Sequence, residues 1–365
     1  MAETDDAARY HRLQLRWSVA RIALLVAFLL VVLASGAGRA LAELAARGTP
    51  SPLAQLAVVA VVLGAAQTVL SFPLAWLSGF DLPRRFGLLH QSLGGWLLDR
   101  AKAGVLGGVV ALLGVEALYA LLRLTSLWWL AMAGLVFVFA VVVTAVVPVW
   151  VLPLFYRLTP LADDSLRGRL LALAGRAGVP ALGVWIADQS RKSRTANAAV
   201  IGLGRTRRIL LYDTLTASFR AEEIEAVLAH ELGHHVHGDM RRALLVQGAL
   251  SVATFWIADH ALRIGVRLWH LSGPADPAGV AWLALVLLGL GLVTAPLANG
   301  FSRFIERQAD DFALALTRDP GGFIGAMERL ASLNLAERRP HRLKELMLYS
   351  HPALDRRIAR ARAAL

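Results

Sequence analysis

Six stretches of the chain are almost free of charge, and their lengths set the first expectation. Residues 22–38 and 48–80 carry no charged side chain, and 103–122 carries only Glu116. Residues 124–156 are uncharged and close on Pro148 and Pro153; runs 243–258 and 277–302 complete the set. A helix needs roughly 17–25 apolar residues to cross a bilayer. Each run therefore predicts a span, 243–258 borrowing from its flanks. Two polar regions, 157–242 and 303–365, are left over. The expected fold class is an all-α polytopic membrane protein with about six or seven transmembrane helices. It carries a small α+β region at the cytoplasmic face. Its parts are a bundle of four spans (1–156), the polar region 157–242, two further spans (243–302) and a C-terminal helical region (303–365). The first run follows Arg9, Arg12 and Arg16. It is longer than the usual 7–15-residue core of a signal peptide and reads as a retained anchor, cleavage near residues 34–37 being the alternative.

Composition agrees. Hydrophobic residues make up 57% of 365 and charged ones 18%, with mean hydropathy +0.56; a soluble domain carries about 25% charged residues. A disordered chain is excluded. The net charge of +12 would suggest nucleic acid in a soluble protein. Here it follows the excess of Arg and Lys on the cytoplasmic side of spans. Arg84, Arg85, Arg100 and Lys102, the region 157–242 and the Arg-rich tail then face the cytoplasm, with Arg39, Arg47, Arg123, Arg263 and Arg267 outside. No cysteine is present, which removes disulfides, thiolate ligands and a Cys nucleophile. Lysine occurs only at 102, 192 and 344, an Arg preference that suits a GC-rich bacterial genome.

The chemistry concentrates in Ala229-His230-Glu231-Leu232-Gly233-His234. Ile224, Val227, Leu228, Leu232 and Val236 recur at steps of three and four, the signature of an amphipathic helix. Glu222 and Glu223 fall in its first turn, where negative charge suits the helix dipole. His230 and His234, one turn apart on one side, can share a zinc ion, with Glu231 beside them to take a proton from water. Chance would produce such a motif about once in a hundred chains of this His and Glu content. His235 and His237 are assigned to a solvated or supporting face.

A catalytic zinc site needs a third protein ligand and an open position. Glu306 and Asp310 follow the last apolar run directly and lie four residues apart, on one side of a helix. That suits Glu306 as ligand and Asp310 as acceptor for a ligand imidazole. An ordinary charged face in water explains the spacing equally well.

A longer series of residues resembles a known family. Pro153-Leu154-Phe155-Tyr156-Arg157-Leu158-Thr159-Pro160-Leu161, Ser190-Arg191-Lys192-Ser193, Asn197-Ala198 and Arg208-Ile209-Leu210-Leu211-Tyr212-Asp213-Thr214-Leu215 lead into the His230 helix. Downstream come Glu306 to Phe312 and Tyr349-Ser350-His351-Pro352; upstream, Phe86-Gly87 with Trp96, Asp99 and Lys102 is a weaker echo. Together these are similar to the CAAX prenyl protease type I family of integral-membrane zinc metalloproteases, the chain being a bacterial homologue. The resemblance implies Glu306 as third ligand. It also implies that Asn197 and Ala198 begin an edge strand holding the substrate backbone by strand addition. His351 would approach the reacting centre and steady an oxyanion. Arg356 or Arg357 would pair with an acidic group behind the ligands. The chain departs from the eukaryotic members in having six apolar runs against seven spans. It departs further in the loop from Asp81 to His90 and in Ala199, where an aromatic residue is usual. These changes leave zinc chemistry intact and leave open whether the substrate is prenylated.

The expected function is that of a membrane-embedded zinc metalloendopeptidase with one Zn2+ per chain. Its partners are a peptide or protein substrate, membrane-associated or lipidated, and the lipid bilayer, without nucleic acid. Its place is a bacterial inner membrane, with the site facing the cytoplasm. Catalysis would rest on Glu231 and His351, the metal on His230, His234 and Glu306 with Asp310 behind, and the substrate on Asn197 and Ala198. A heat-shock-type quality-control protease is the alternative within the class. From another class comes a zinc-dependent scaffold or a transporter, for which Glu116 inside an apolar run is the support.

Overall fold

The computed structural model describes residues 2–202 and 207–363. Helix α1 (Ala2–Ala34) breaks at Gly36, whose φ of 72° admits a left-handed turn, and α2 (Ala37–Gly48) follows. Helix α3 (Pro52–Trp76) starts under the Ser51 cap and runs through a wide turn at Leu77–Asp81 into α4 (Leu82–Arg85). Ser92 caps α5 (Leu93–Leu124). Helix α6 (Trp128–Val146) loosens into another wide turn, Val147–Val151, where Pro148 removes a backbone donor.

The polar region contains β1 (Leu158–Pro160), α7 (Asp164–Arg176), β2 (Val184–Ala187), β3 (Ala198–Ile201), β4 (Arg208–Tyr212), α8 (Asp213–Ser218) and α9 (Ala221–Val236). Then come α10 (Asp239–Leu268), α11 (Val280–Thr317), α12 (Pro320–Leu333), α13 (Arg342–Leu348) and α14 (Leu354–Arg362). The sheet order is β1-β2-β4-β3, with β2 and β4 parallel and both outer pairs antiparallel. Strand β3 is thus an edge, as the Asn197–Ala198 expectation requires.

Among the described residues, five helices are long and apolar enough to cross a membrane: Asp6–Ala34, Pro52–Arg85, Leu93–Leu124, Trp128–Leu154 and Pro277–Thr317. The sequence led us to expect six. The difference is run 243–258, which lies in α10. Gln247, Ser251 and Thr254 dilute its apolar character, and Asp259 follows at once. Asp259 accepts from Trp128 Nε1 at 2.7 Å and pairs with Arg263 at 2.9 Å, so α10 packs against α6 and α11 through polar as well as apolar contacts.

Among the described residues, two large cores and two smaller clusters hold the molecule. Leu56, Tyr119, Trp128, Met132, Phe255 and Leu283 join the apolar helices, while Val69, Val105, Leu113 and Val293 face outward, as lipid contact favours. The second core gathers Leu170 and Leu173 of α7, Ile209 and Leu211 of β4, Leu228 and Leu232 of α9, Phe323 of α12 and Ile358 of α14. Each such side chain contributes about 1.5–3 kcal/mol by leaving water. This core fixes one face of α9 and leaves the other for chemistry.

Candidate metal centre

Helix α9 is anchored before it is functional. The Glu223 carboxylate is buried, accepts from the Arg220 backbone N–H at 2.9 Å and pairs with Arg329 at 2.7 Å. It supplies one of the acceptors that a helix start otherwise lacks. One turn after His230, Gly233 lies against α11. A Cβ there would stand 3.1 Å from Ala309 Cα and 3.2 Å from Phe312 Cδ1. The missing side chain lets the two helices close until Glu306 faces both histidines.

His230 Nε2 and His234 Nε2 are 3.2 Å apart; Glu306 Oε2 is 3.3 Å from the first and Oε1 3.6 Å from the second. Ligands about 2.0–2.1 Å from a tetrahedral ion stand about 3.3 Å apart, so the spacing fits a metal. The hydrogen bonding points the same way. His230 Nδ1 lies 2.9 Å from Asp310 Oδ1, and His234 Nδ1 lies 2.9 Å from Asp239 Oδ2. With both Nδ1–H groups donating to carboxylates, both Nε2 atoms present lone pairs to one point. Glu306 Oε2 is buried with no hydrogen-bond partner; its 3.3 Å approach to His230 brings proximity without hydrogen-bond geometry. Burial opposes charge on His230, but the Asp310 and Glu306 carboxylates outweigh it and raise its pKa to about 9. The place favours a cation.

The supporting residues form two branches. Arg357 donates to both Asp310 oxygens, at 2.9 and 2.6 Å. Arg242 Nη1 donates to Asp239 and to Gln308 Oε1, each at 2.8 Å. Of the two arginines anticipated, Arg357 faces Asp310, while Arg356 pairs with Glu345 at 3.1 Å. Asp239 was missed, although Gly238, with φ 66°, marks the turn that brings it back to His234. His235 is half-buried and takes the supporting alternative: its Nε2 meets the Val200 carbonyl of β3 at 3.0 Å. His237 packs edge-on against Phe312.

A cavity of about 510 Å³ opens beside the histidines, lined by Glu231, Asn197, Tyr212, His351, Asn334 and Arg357 among others. His351 Nε2 lies 3.2 Å from Glu306 Oε1. Asn197 is exposed at the start of β3. The preceding residue is clamped, since Asn334 Oδ1 accepts from Ala196 N at 2.9 Å and Asn334 Nδ2 donates to Ala196 O at 3.2 Å. Sequence reasoning missed Asn334, which no motif flags.

The profile of peptidase family M48 matches residues 160–365. The chain belongs to that family. A second profile, CAAX prenyl protease N-terminal, five membrane helices, matches residues 2–157, so this M48 peptidase is a membrane metalloprotease. It is 28% identical over 336 residues to the Bacillus subtilis "Uncharacterized metalloprotease YhfN", covering 91% of this chain and 79% of that one. It is 34% identical over 190 residues to CAAX prenyl protease 1 of Saccharomyces cerevisiae, covering 50% of this chain and 41% of the yeast protein. The crystal structure of S. mikatae Ste24p superposes with a TM-score of 0.85 at 24% identity, over 99% of this chain and 89% of that chain, which shows a shared fold. In the M48 peptidase, His230, Glu231, His234, Glu306, Asp310, Asn197 and His351, scattered in sequence, surround one cluster and its cavity.

Proposed function

We propose that the M48 peptidase is a zinc metalloendopeptidase that binds one ion per chain and cleaves membrane-associated peptides at the cytoplasmic face of a bacterial inner membrane. The observation that carries this reading is the convergence of two imidazole lone pairs and an orphaned carboxylate oxygen on the helix packed against edge strand β3 and on α11. Zinc held by His230, His234 and Glu306 would polarise the scissile carbonyl and acidify a water. Glu231 accepts the proton of the attacking water and returns it to the leaving amine. Asp310 and Asp239 hold the imidazoles with Nδ1–H donating outward, so that Nε2 stays a lone pair. His351, beside Glu306, donates to the oxygen on which charge develops. The substrate backbone pairs with β3, Asn197 donating its side-chain amide and Ala198 leaving room beside the peptide.

In this organisation, 1–156 and 243–302 form the membrane bundle, 157–242 carries the zinc helix and strands, and 303–365 supplies Glu306, Asp310, His351 and Arg357. Prenylated CAAX peptides, the substrates named for the yeast relative, are one class to test. Glu231→Gln should retain stoichiometric zinc and lose at least about 10²–10⁴-fold in peptide cleavage. Zinc-replete Glu231→Gln cleaving at the wild-type rate would refute the mechanism. A prenylated peptide left intact while unmodified membrane peptides are cut would exclude the CAAX substrate class.

A further inference from the structure

Behind the metal centre lies a second cavity of about 770 Å³, bordered by Arg303, Arg307, Arg342, Arg356, Arg357 and Arg360. Four of these are engaged. Arg303 donates to the Glu345 and Tyr349 carbonyls, Arg356 pairs with Glu345, Arg357 with Asp310 and Arg360 with Asp311. Arg307 and Arg342 are exposed and, among the described residues, make no hydrogen bond or ion pair to the protein. Two guanidinium groups therefore border one cavity without a partner, its two lining carboxylates, Asp310 and Glu345, being taken by Arg357 and Arg356.

The same cavity has an apolar lip. Leu343 and Leu346 line it, and these two with Met347 and Leu348 are 40–58% exposed on α13. Four large apolar side chains on seven residues are costly in water and favourable at a bilayer surface. The depth of α13 agrees. Asn299 Nδ2 donates to the Met347 carbonyl at 3.0 Å, and the buried Arg303 bonds to the Glu345 carbonyl at 3.1 Å. Helix α13 is thus tied to α11 where the apolar run 277–302 gives way to charge.

We propose that this cavity is a binding site for the phosphodiester headgroup of an anionic phospholipid. Arg307 and Arg342 take the phosphate, and the acyl chains lie along Leu343, Leu346, Met347 and Leu348. Guanidinium suits phosphate because its planar donors can be shared between two oxygens. The site needs no peptidase activity, so its failure and that of the peptidase reading are separable. Arg357 borders both cavities and holds Asp310, which gives a route from headgroup to metal centre.

The test is native mass spectrometry of the full detergent-solubilised chain titrated with phosphatidylglycerol or phosphatidylcholine of matched acyl chains, with zinc content measured in parallel. Wild type should retain phosphatidylglycerol preferentially. The double variant Arg307→Gln, Arg342→Gln should lose about thirtyfold of that preference while keeping zinc. Arg176→Gln, at the exposed end of α7, should keep both. Equal retention of the two lipids by wild type, or an unchanged preference in the double variant, overturns the proposal. Inorganic phosphate is the third arm, and it should not displace phosphatidylglycerol at equal concentration. Displacement would mean that the arginines read a free anion, and would overturn the lipid assignment.

Discussion

Gly233→Ala is the most informative single change, because it adds one methyl group where two helices meet and touches no metal donor. The new Cβ would lie 3.1 Å from Ala309 Cα, 3.2 Å from Phe312 Cδ1 and 3.3 Å from Ala309 O. The Phe312 ring can swing aside, but the α11 backbone can only retreat. Restoring carbon contacts of about 3.5–4.0 Å requires a separation of roughly 0.5 Å. Stability falls by no more than about 2 kcal/mol, since overpacking costs about 1–3 kcal/mol and alanine recovers about 1 kcal/mol of helix propensity over glycine. The donors fare worse. Glu306 sits one turn from Ala309 and moves with it, whereas donor distances tolerate only about 0.2 Å. Zinc affinity should fall about 10–100-fold, the range seen when the surroundings of a metal site are disturbed. Competition with a chromophoric chelator measures this, and thermal unfolding of the metal-free protein gives the stability term. A zinc affinity within about twofold of wild type, in a stable variant, would refute the claim that this crossing sets the donor geometry.

Three further outcomes follow from contacts around the site. Asp310→Asn removes the carboxylate that receives His230 Nδ1–H and both Arg357 bonds; chelator competition should show zinc binding weakened about 10–100-fold, and an unchanged affinity would deny it this role. Asn334→Ala leaves Ala196 N and O without the partners that fix the entry to β3. Peptide KM should rise about tenfold at constant zinc affinity, and a change in kcat alone would place Asn334 outside substrate positioning. Glu223→Ala strips the start of α9 of a buried acceptor, costing about 1–3 kcal/mol in thermal unfolding; an unaltered Tm would show the cap to be dispensable.

The legible part of the molecule was the part written in short-range pattern. Period and spacing placed His230, Glu231 and His234 on one helix, and Glu222 and Glu223 in its first turn, as α9 has them. Apolar runs announced five spanning helices, because a bilayer demands length and composition that no other constraint imitates. Run 243–258 falls short of the apolar character of the other five because Gln247, Ser251 and Thr254 dilute it, and Asp259, satisfied by Trp128 across 131 residues, follows at once. Such pairing leaves no trace in a window of sequence. The same limit hid Asn334, whose partner Ala196 is 138 residues away. Glu306 and Asp310 lay between these extremes. Their spacing allowed a shared face, but only the close approach of α11 to Gly233 brings Glu306 to the two histidines.

Charge accounting around the histidines shows why two arginines belong there. Glu306, Glu231, Asp239 and Asp310 contribute four negative charges; Arg242 and Arg357, each bonded to one of the aspartates, return two. With neutral imidazoles the set stands at −2, the charge a divalent cation cancels. Without the arginines it would stand at −4, a surplus that protons on the same histidines would meet. Each aspartate can therefore orient its imidazole without overloading the site, because its own charge is consumed on the far side. Arg357→Gln should accordingly weaken zinc binding even though it removes positive charge. Simple electrostatics at the metal predicts the opposite sign, so chelator competition on this one variant decides whether orientation or net charge governs the site.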